Sequence, residues 1–253
     1  VCKLQINQSL GIVPVADRFR QALGDAVEIP AAKVVRCKAC GLYYVQPMPF
    51  LTTEQYDRLY DVDYFPQNAP RWEERRWRDA ERRLGLIAEL VGEDGELLDV
   101  GCGEGRMLSI ARARGWKCRG LETSQPLAKA AEKASGAPVD VGDLESIGYE
   151  DSRFAAVYLD SVLEHVPTPA EFVSEIARIL RVGGAAYIVV PNENGLSSRV
   201  LGIVQALRGH NRRLTPFSSP YHWIGFCKRS LADCFRRAHL RPVFVRAMHG
   251  RME

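Results

Sequence analysis

The sequence has no long hydrophobic run. Its continuous apolar stretches, such as Phe154 to Leu159 and Ala185 to Val190, fall far short of the roughly 20 residues that cross a bilayer. No membrane span and no membrane partner is expected. An excess of one charge is also absent. The chain sets 34 basic residues against 31 acidic ones for a net charge of +3, which gives no electrostatic footprint for nucleic acid. The first residues carry neither the charged nor the apolar region of a secretion signal. Seven cysteines, without regular spacing over most of the chain, do not make a secreted disulfide framework and fit a reducing, cytoplasmic compartment. Fixed-period repeats and low-complexity tracts are missing as well.

What is present is a chain of 253 residues with 46% hydrophobic and 26% charged residues, enough for one large domain and a small one. Residues 1–50 read as an irregular, cysteine-containing module. Residues 51–91 read as a helical extension with Thr52 or Thr53 as N-cap. In it, the run Arg71 to Arg83 mixes six arginines with four acids at spacings of three and four, the pattern of a solvated helix face. An anionic-ligand surface is the alternative. Trp72 and Trp77 are expected to face the main domain.

From Glu96 onward strands and helices alternate: strand 97–100, glycine loop, helix 106–114, strand 117–121, helix 125–135, a short strand near Val139, strand 155–159, helix 170–180 and strand 185–190. A helix over 229–238 and a strand over 242–248 follow. Continuous apolar strands separated by helices predict an α/β fold, a doubly wound, mostly parallel sheet with helices on both faces.

In such sheets ligands sit beyond the carboxyl ends of the strands, where glycines let the backbone turn and approach closely. Gly101, Gly103 and Gly105 stand there, and a tight turn alone would also explain them. Asp99 precedes them within the strand. Glu122 ends the next strand, about 20 residues further on, where a carboxylate can accept both hydroxyls of a ribose. The third glycine of a dinucleotide fingerprint is missing and Glu104 opposes a pyrophosphate. An adenosine without phosphates fits better than a nicotinamide dinucleotide. Asp143 with the backbone of Leu144 can read an adenine edge, although Asp143 could equally cap a loop.

Taken together, LLDVGCGEGRML, LETS, GDLES, FAAVYLDSVLEHVPTP and LRVGGAAYIVVPN resemble the class I S-adenosylmethionine-dependent methyltransferases. The resemblance runs from Leu97 to about Met248. It implies S-adenosylmethionine as cofactor and a small-molecule methyl acceptor such as a sugar, quinone or natural product. It also implies a seven-stranded sheet whose last strand is antiparallel. The chain stops soon after the expected sixth strand, so the closing strand is expected to be missing. The resemblance assigns the Gly101 to Gly105 loop and Asp99 to the methionine part, Glu122 to the ribose, Asp143 and Leu144 to the adenine, and Asp160 to the methionine end.

Methyl transfer to a hydroxyl or carbon acid needs in-line placement and one base. His165, in Ser-Val-Leu-Glu-His-Val-Pro, is the candidate base, with a structural loop histidine as the other reading. Glu164 and His222 are further candidates, and ubiquinone-biosynthesis-like O-methyltransferases, which the core is similar to, use such residues around a divalent metal. Residues 192–222 make a long connection with an amphipathic stretch over 198–207, read as a substrate lid or as a surface helix.

Cys37-Lys-Ala-Cys40-Gly has the two-residue gap of a zinc knuckle. With Cys2 and the segment Ser9 to Ala16, it is similar to the zinc-binding region that precedes some sugar and natural-product methyltransferases. A structural zinc is the implied metal, lacking one cysteine of the pattern. Cys102, Cys118, Cys227 and Cys234 read as small buried hydrophobes. A homo-oligomer is left open. The competing readings are a cofactor-binding scaffold or regulatory subunit of the same fold, and a nucleotide-dependent enzyme.

Overall fold

The computed structural model describes residues 7–13, 32–48, 52, 54–55, 58, 70–195, 200, 203–204, 207 and 222–246. The described residues form nine strands: β1 (Asn7–Val13), β2 (Ala32–Cys37), β3 (Tyr43–Gln46), β4 (Glu96–Val100), β5 (Lys117–Glu122), β6 (Val139–Val141), β7 (Phe154–Asp160), β8 (Leu180–Val189) and β9 (Ile224–Gly225). The helices are α1 (Pro70–Val91), α2 (Arg106–Ala113), α3 (Gln125–Ser135), α4 (Leu144–Ile147), α5 (Pro169–Ile179) and α6 (Lys228–Arg237). They fall into two compact units. One comprises residues 51–162 and 175–189; the other comprises residues 1–50, 163–174 and 190–253. No helix among the described residues is long and apolar enough to cross a membrane.

The first unit is built on a wholly parallel sheet in the order β6-β5-β4-β7-β8. Strand β7 sits inside it with six successive residues buried, which is why it reads as a continuous apolar run rather than an alternation. The chain moves from β4 to β5 and β6 in one direction, then back to β7 and β8 in the other. Right-handed crossovers in opposite directions put their helices on opposite faces and open a switch point beside β4, where α/β ligands bind. The expected doubly wound, mostly parallel architecture is therefore present.

Helix α1 buries Ala80, Leu84 and Ile87 in a cluster with Met107, Leu108 and Ala111 of α2. That stripe, at spacings of four and three, is the inward face. Trp77 does not share it: it is 38% exposed and its indole N–H donates to Glu73. The expectation that it faces the main domain is corrected, because its place on the helix wheel lies with the charged residues. Trp72 lies outside the described side chains. The charged face behaves as a solvated one, with Arg75–Asp79, Arg78–Glu74 and Arg82–Asp79 pairs. Upstream, Thr52 Oγ1 accepts from the Gln55 N–H while Gln55 Oε1 accepts from the Thr52 N–H. This reciprocal pair is a capping box at the position expected for an N-cap.

The second unit contains an antiparallel sheet in the order β1-β2-β3-β9. Residues expected to be irregular therefore carry three strands. The Val34-Val35 and Tyr43-Tyr44-Val45 runs are rich in β-branched and aromatic residues, and Val34, Val35 and Val45 are buried. A second correction concerns the strand expected over 242–248: residues 242–246 form no strand, and Val243, Phe244 and Val245 stand exposed. An apolar run becomes a strand only with a neighbour to bond, and Pro242 supplies no N–H. Residues 247–248 lie outside the described ones. In the expected lid, Val200, Ile203, Val204 and Leu207 are exposed, and most of the rest lies outside the described residues.

Leu84→Ala should lower unfolding free energy by about 2 to 5 kcal/mol, as buried leucine truncations do. Trp77→Ala should lower it by less than about 1 kcal/mol. Chemical denaturation of both variants checks the orientation of α1; equal losses would refute it.

Candidate functional site

Three strands of the parallel sheet deliver a carboxyl group to the same end: Asp99 from β4, Glu122 from β5 and Asp160 from β7. Between them runs the turn that follows β4. Gly101, Gly103 and Gly105 all have positive φ, at 67°, 52° and 78°, a region costly for other residues. Space excludes side chains too. A Cβ at Gly101 would come within 2.5 Å of Val162 Cγ2, and one at Gly105 within 2.9 Å of the Ala131 carbonyl oxygen.

Glu122 holds this turn. Its Oε2 accepts from the Gly103 N–H at 2.9 Å, and its Oε1 accepts from the Thr123 and Ser124 N–H groups at 2.9 and 3.1 Å. The carboxylate is buried, 7% exposed, yet stays supplied with donors, so its position at the strand end is fixed. The Gly142 N–H donates to the Glu122 carbonyl at 3.0 Å and brings the next loop alongside. There Asp143 caps α4, its Oδ1 accepting from the Ser146 N–H at 2.8 Å. Asp143 is exposed, whereas the Leu144 side chain is buried. The loop-cap reading of Asp143 is observed, and it leaves Oδ2 for a ligand.

Asp160 is tied to a residue that the sequence did not single out. Arg83 of α1 donates through Nη1 to Tyr158 Oη at 2.7 Å and to Asp160 Oδ2, and Tyr158 Oη donates to the same carboxylate at 3.2 Å. Burial opposes the Arg83 charge, but Asp160 and Tyr158 outweigh it and hold the guanidinium firmly protonated. Its side chain is 9% exposed, and its buried Nε has no hydrogen-bond partner among the described residues. A buried N–H without an acceptor is an opening for one. The available signal was weak: Arg83 sits between inward-facing Ala80 and Ile87, next to Leu84, while the arginine-rich composition suggests a solvated face.

In the second unit Glu164, His165 and His222 offer ligand atoms that all lie within 4.8 Å of one another. The two imidazole rings meet edge-on at 5.2 Å. The Trp223 N–H donates to the Glu164 carbonyl at 3.0 Å, which explains how positions 164–165 and 222 come together. One carboxylate and two imidazoles suit a borderline divalent ion, and among the described residues this is the one such donor group of three or more. Cys37 and Cys40 flank a tight turn in which the Gly41 N–H donates to the Cys37 carbonyl and the Cys37 N–H to the Leu42 carbonyl, both at 2.8 Å. Cys227 reaches this turn, its thiol 3.7 Å from the Cys40 carbonyl. Cys2 lies outside the described residues. Cys102, Cys118, Cys227 and Cys234 are buried, as expected.

A family model described as a methyltransferase domain matches residues 98–188. The ubiquinone biosynthesis O-methyltransferase of Nitrosomonas europaea is 33% identical over 120 residues, 44% of this chain and 51% of that one. The chain thus spans about half of that relative. The protein of the same description from Xanthomonas campestris pv. campestris strain B100 is 31% identical over 224 residues, 81% of this chain and 89% of that one. Among solved structures, a SAM dependent methyltransferase from Archaeoglobus fulgidus superposes with a TM-score of 0.50 at 19% identity, covering 65% of this chain and 69% of that one. The [4+2]-cyclase SpnF superposes with a TM-score of 0.54 at 23% identity, covering 76% and 74%. Both structures share the fold.

Asp99 provides a pH test of the carboxylate cluster. Burial, then the negative charges of Asp160 and Glu122, raise its folded pKa well above the usual carboxylate value. The folded state therefore favours the protonated form, and stability is lost as pH rises from the unfolded pKa through the folded one. Asp99→Asn stays neutral and escapes that loss, so its melting temperature should gain on the wild type as pH rises above about 4. A difference independent of pH would refute the raised value.

Proposed function

Because the chain belongs to the S-adenosylmethionine-dependent methyltransferases, we propose that it transfers the methyl group to an oxygen or carbon of a small metabolite such as a sugar, quinone or natural product. The observation that carries the cofactor assignment is the Glu122 carboxylate, fixed by three backbone N–H groups beside a positive-φ glycine turn. Its Oε2, which accepts only the Gly103 N–H, keeps a lone pair for a ribose hydroxyl. One loop further, Asp143 Oδ2 and the Leu144 N–H would read an adenine edge. Asp99, Asp160 and the backbone from Gly101 to Gly105 would surround the methionine part, and the unpartnered Arg83 Nε fits its carboxylate.

When bound, S-adenosylmethionine supplies an electrophilic methyl group on a sulfonium. The chain's work is then to hold the acceptor in line, exclude water and take a proton. His165 is the proposed base. It follows Asp160 by five residues in sequence, just after the carboxyl end of β7, and its nitrogen would take the proton released by an acceptor hydroxyl as the new O–C bond forms. Glu164 and His222 would orient that imidazole or, with it, hold a divalent ion. The two roles separate experimentally: turnover unaffected by chelator supports the base, and loss of turnover restored by added metal supports the ion. Similarity to a ubiquinone biosynthesis O-methyltransferase and to the 27-O-demethylrifamycin SV methyltransferase of Amycolatopsis mediterranei favours oxygen as the accepting atom. Residues 192–222 are the proposed cover over the acceptor.

The turn Cys37 to Cys40 is the proposed half of a structural zinc site, with Cys2 as a third thiol. Metal analysis of the purified protein tests this, and a zinc-free protein would end the reading.

Glu122→Ala should weaken S-adenosylmethionine binding at least about tenfold by calorimetry, the scale of hydrogen bonds to a charged group; unchanged affinity would remove Glu122 from the site. His165→Ala should keep cofactor affinity and lose about 100-fold or more in kcat, the usual share of a general base. Full turnover would refute its role. Absence of methylated product from every acceptor tried, with cofactor bound, would favour a scaffold instead.

A further inference from the structure

The Cys37-Lys-Ala-Cys40-Gly turn is a motif that methyl transfer leaves unused, and the second unit ties it to Glu164, His165 and His222 through one short stretch of chain. That stretch is residues 222–227. His222 stands at one end and Cys227 at the other, five residues on and at most about 18 Å away.

Every residue between them is fastened. The Trp223 N–H donates to the Glu164 carbonyl, and the Trp223 carbonyl accepts from the Val45 N–H, both at 3.0 Å. Ile224 and Gly225 pair antiparallel with Tyr44 and Tyr43. The Phe226 carbonyl accepts from the Glu193 N–H at 2.9 Å. Trp223, Ile224 and Phe226 are buried. A close-packed stretch bonded at each residue passes a displacement along its length, because neither slack nor empty space absorbs it.

Cys227 sets this stretch against the cysteine turn. Its N–H donates to the Ser230 hydroxyl at 2.9 Å, and its Sγ lies 3.5 Å from that hydroxyl and 3.7 Å from the Cys40 carbonyl oxygen. Gly41 faces the sulfur. Its φ of 79° is costly for other residues, and a Cβ there would stand 2.9 Å from Cys227 Sγ. The glycine thus lets the thiol rest directly on the backbone of the turn. At the far end of the stretch the imidazoles of His222 and His165 meet edge-on at 5.2 Å, where a misplacement of about 1 Å costs a reaction about 100-fold.

Resting on the reading of His165 as the base, we propose that Cys227 and Gly41 are positioning residues. Their contact sets where residues 222–227 lie and, through Trp223 and Glu164, how His222 meets His165. The amino-terminal cysteine turn is then part of the proton-transfer apparatus.

The test follows the imidazole NMR signals of His165 and His222 in the full chain. Gly41→Ala should displace both sets and move their titration midpoints by about half a pH unit or more, the scale on which small changes of surroundings move an imidazole. S-adenosylhomocysteine affinity should be kept. Adding Cys227→Ala removes the sulfur that the new methyl meets, so the double variant should return the signals towards wild type, as coupled neighbours do. Gly92→Ala imposes a similar backbone cost, at a φ of 72°, where a Cβ meets nothing within 4 Å, and should leave the signals in place. Cys227→Val crowds the glycine from the other side and should move them as Gly41→Ala does. A merely structural contact would lower the melting temperatures of these variants with the histidine signals of the folded protein unmoved. That result, equal displacement by Gly92→Ala, or no recovery in the double variant would overturn the proposal. Full turnover in His165→Ala would instead overturn the base reading on which it rests.

Discussion

Three carboxyl groups converge where β4, β5 and β7 end, and the surrounding structure is arranged to tolerate them. Each is accommodated by a different means. Glu122 is supplied with backbone N–H donors, two from its own turn and one from the glycine loop. Asp160 is paired with the buried Arg83 guanidinium and the Tyr158 hydroxyl. Asp99 has its charge suppressed by burial and then by the other two acids, with Arg106 acting the other way. Three acids at one strand end thus occupy three different environments. That of Glu122 also explains why the glycine turn is so tightly specified: only a backbone free to take positive φ can present the Gly103 N–H to Glu122.

This arrangement was legible in the sequence to the extent that its parts are local. The strand, the turn and Glu122 lie within about one βα unit, with spacing set by the rise of a strand and a helix. Asp99, the three glycines and Glu122 could therefore be placed from pattern alone. Arg83 could not. Its helix carries six arginines in Arg71 to Arg83, and helical periodicity gives a face only when apolar and charged residues separate cleanly. One buried arginine among exposed ones breaks that separation. Trp77 was misjudged for the mirror-image reason: an aromatic side chain reads as core until the Ala80, Leu84 and Ile87 stripe fixes which side is inward.

The antiparallel sheet illustrates a different limit. β9 contributes two residues, Ile224 and Gly225, and joins a strand almost 180 positions earlier in the chain. No periodicity can show so short an element, because its identity comes wholly from the partner it bonds. The same holds in reverse for residues 242–246, where an apolar run forms no strand and remains exposed. The grouping of Glu164, His165 and His222 is likewise a consequence of long-range pairing, through the Trp223 N–H bond to Glu164.

The division has a functional meaning. The segment shared across the family, residues 98–188, holds the glycine turn, Glu122, Asp143, Asp160 and His165, but neither Arg83 nor His222 nor Glu193. A donor that never changes can be served by residues in one contiguous stretch, whereas an acceptor that differs between relatives must be read by residues that vary independently of that stretch. Segments on either side of the shared core, pinned by hydrogen bonds rather than by the sheet's own ladder, can be exchanged with little disturbance to the parallel strands. The turn over residues 192–195 stands on such a segment, its backbone N–H groups donating three hydrogen bonds and its Asn194 side chain accepting a fourth from Tyr43. Exchange of that turn would leave the Glu122 and glycine-turn hydrogen bonds as they are, since these close within residues 103–124.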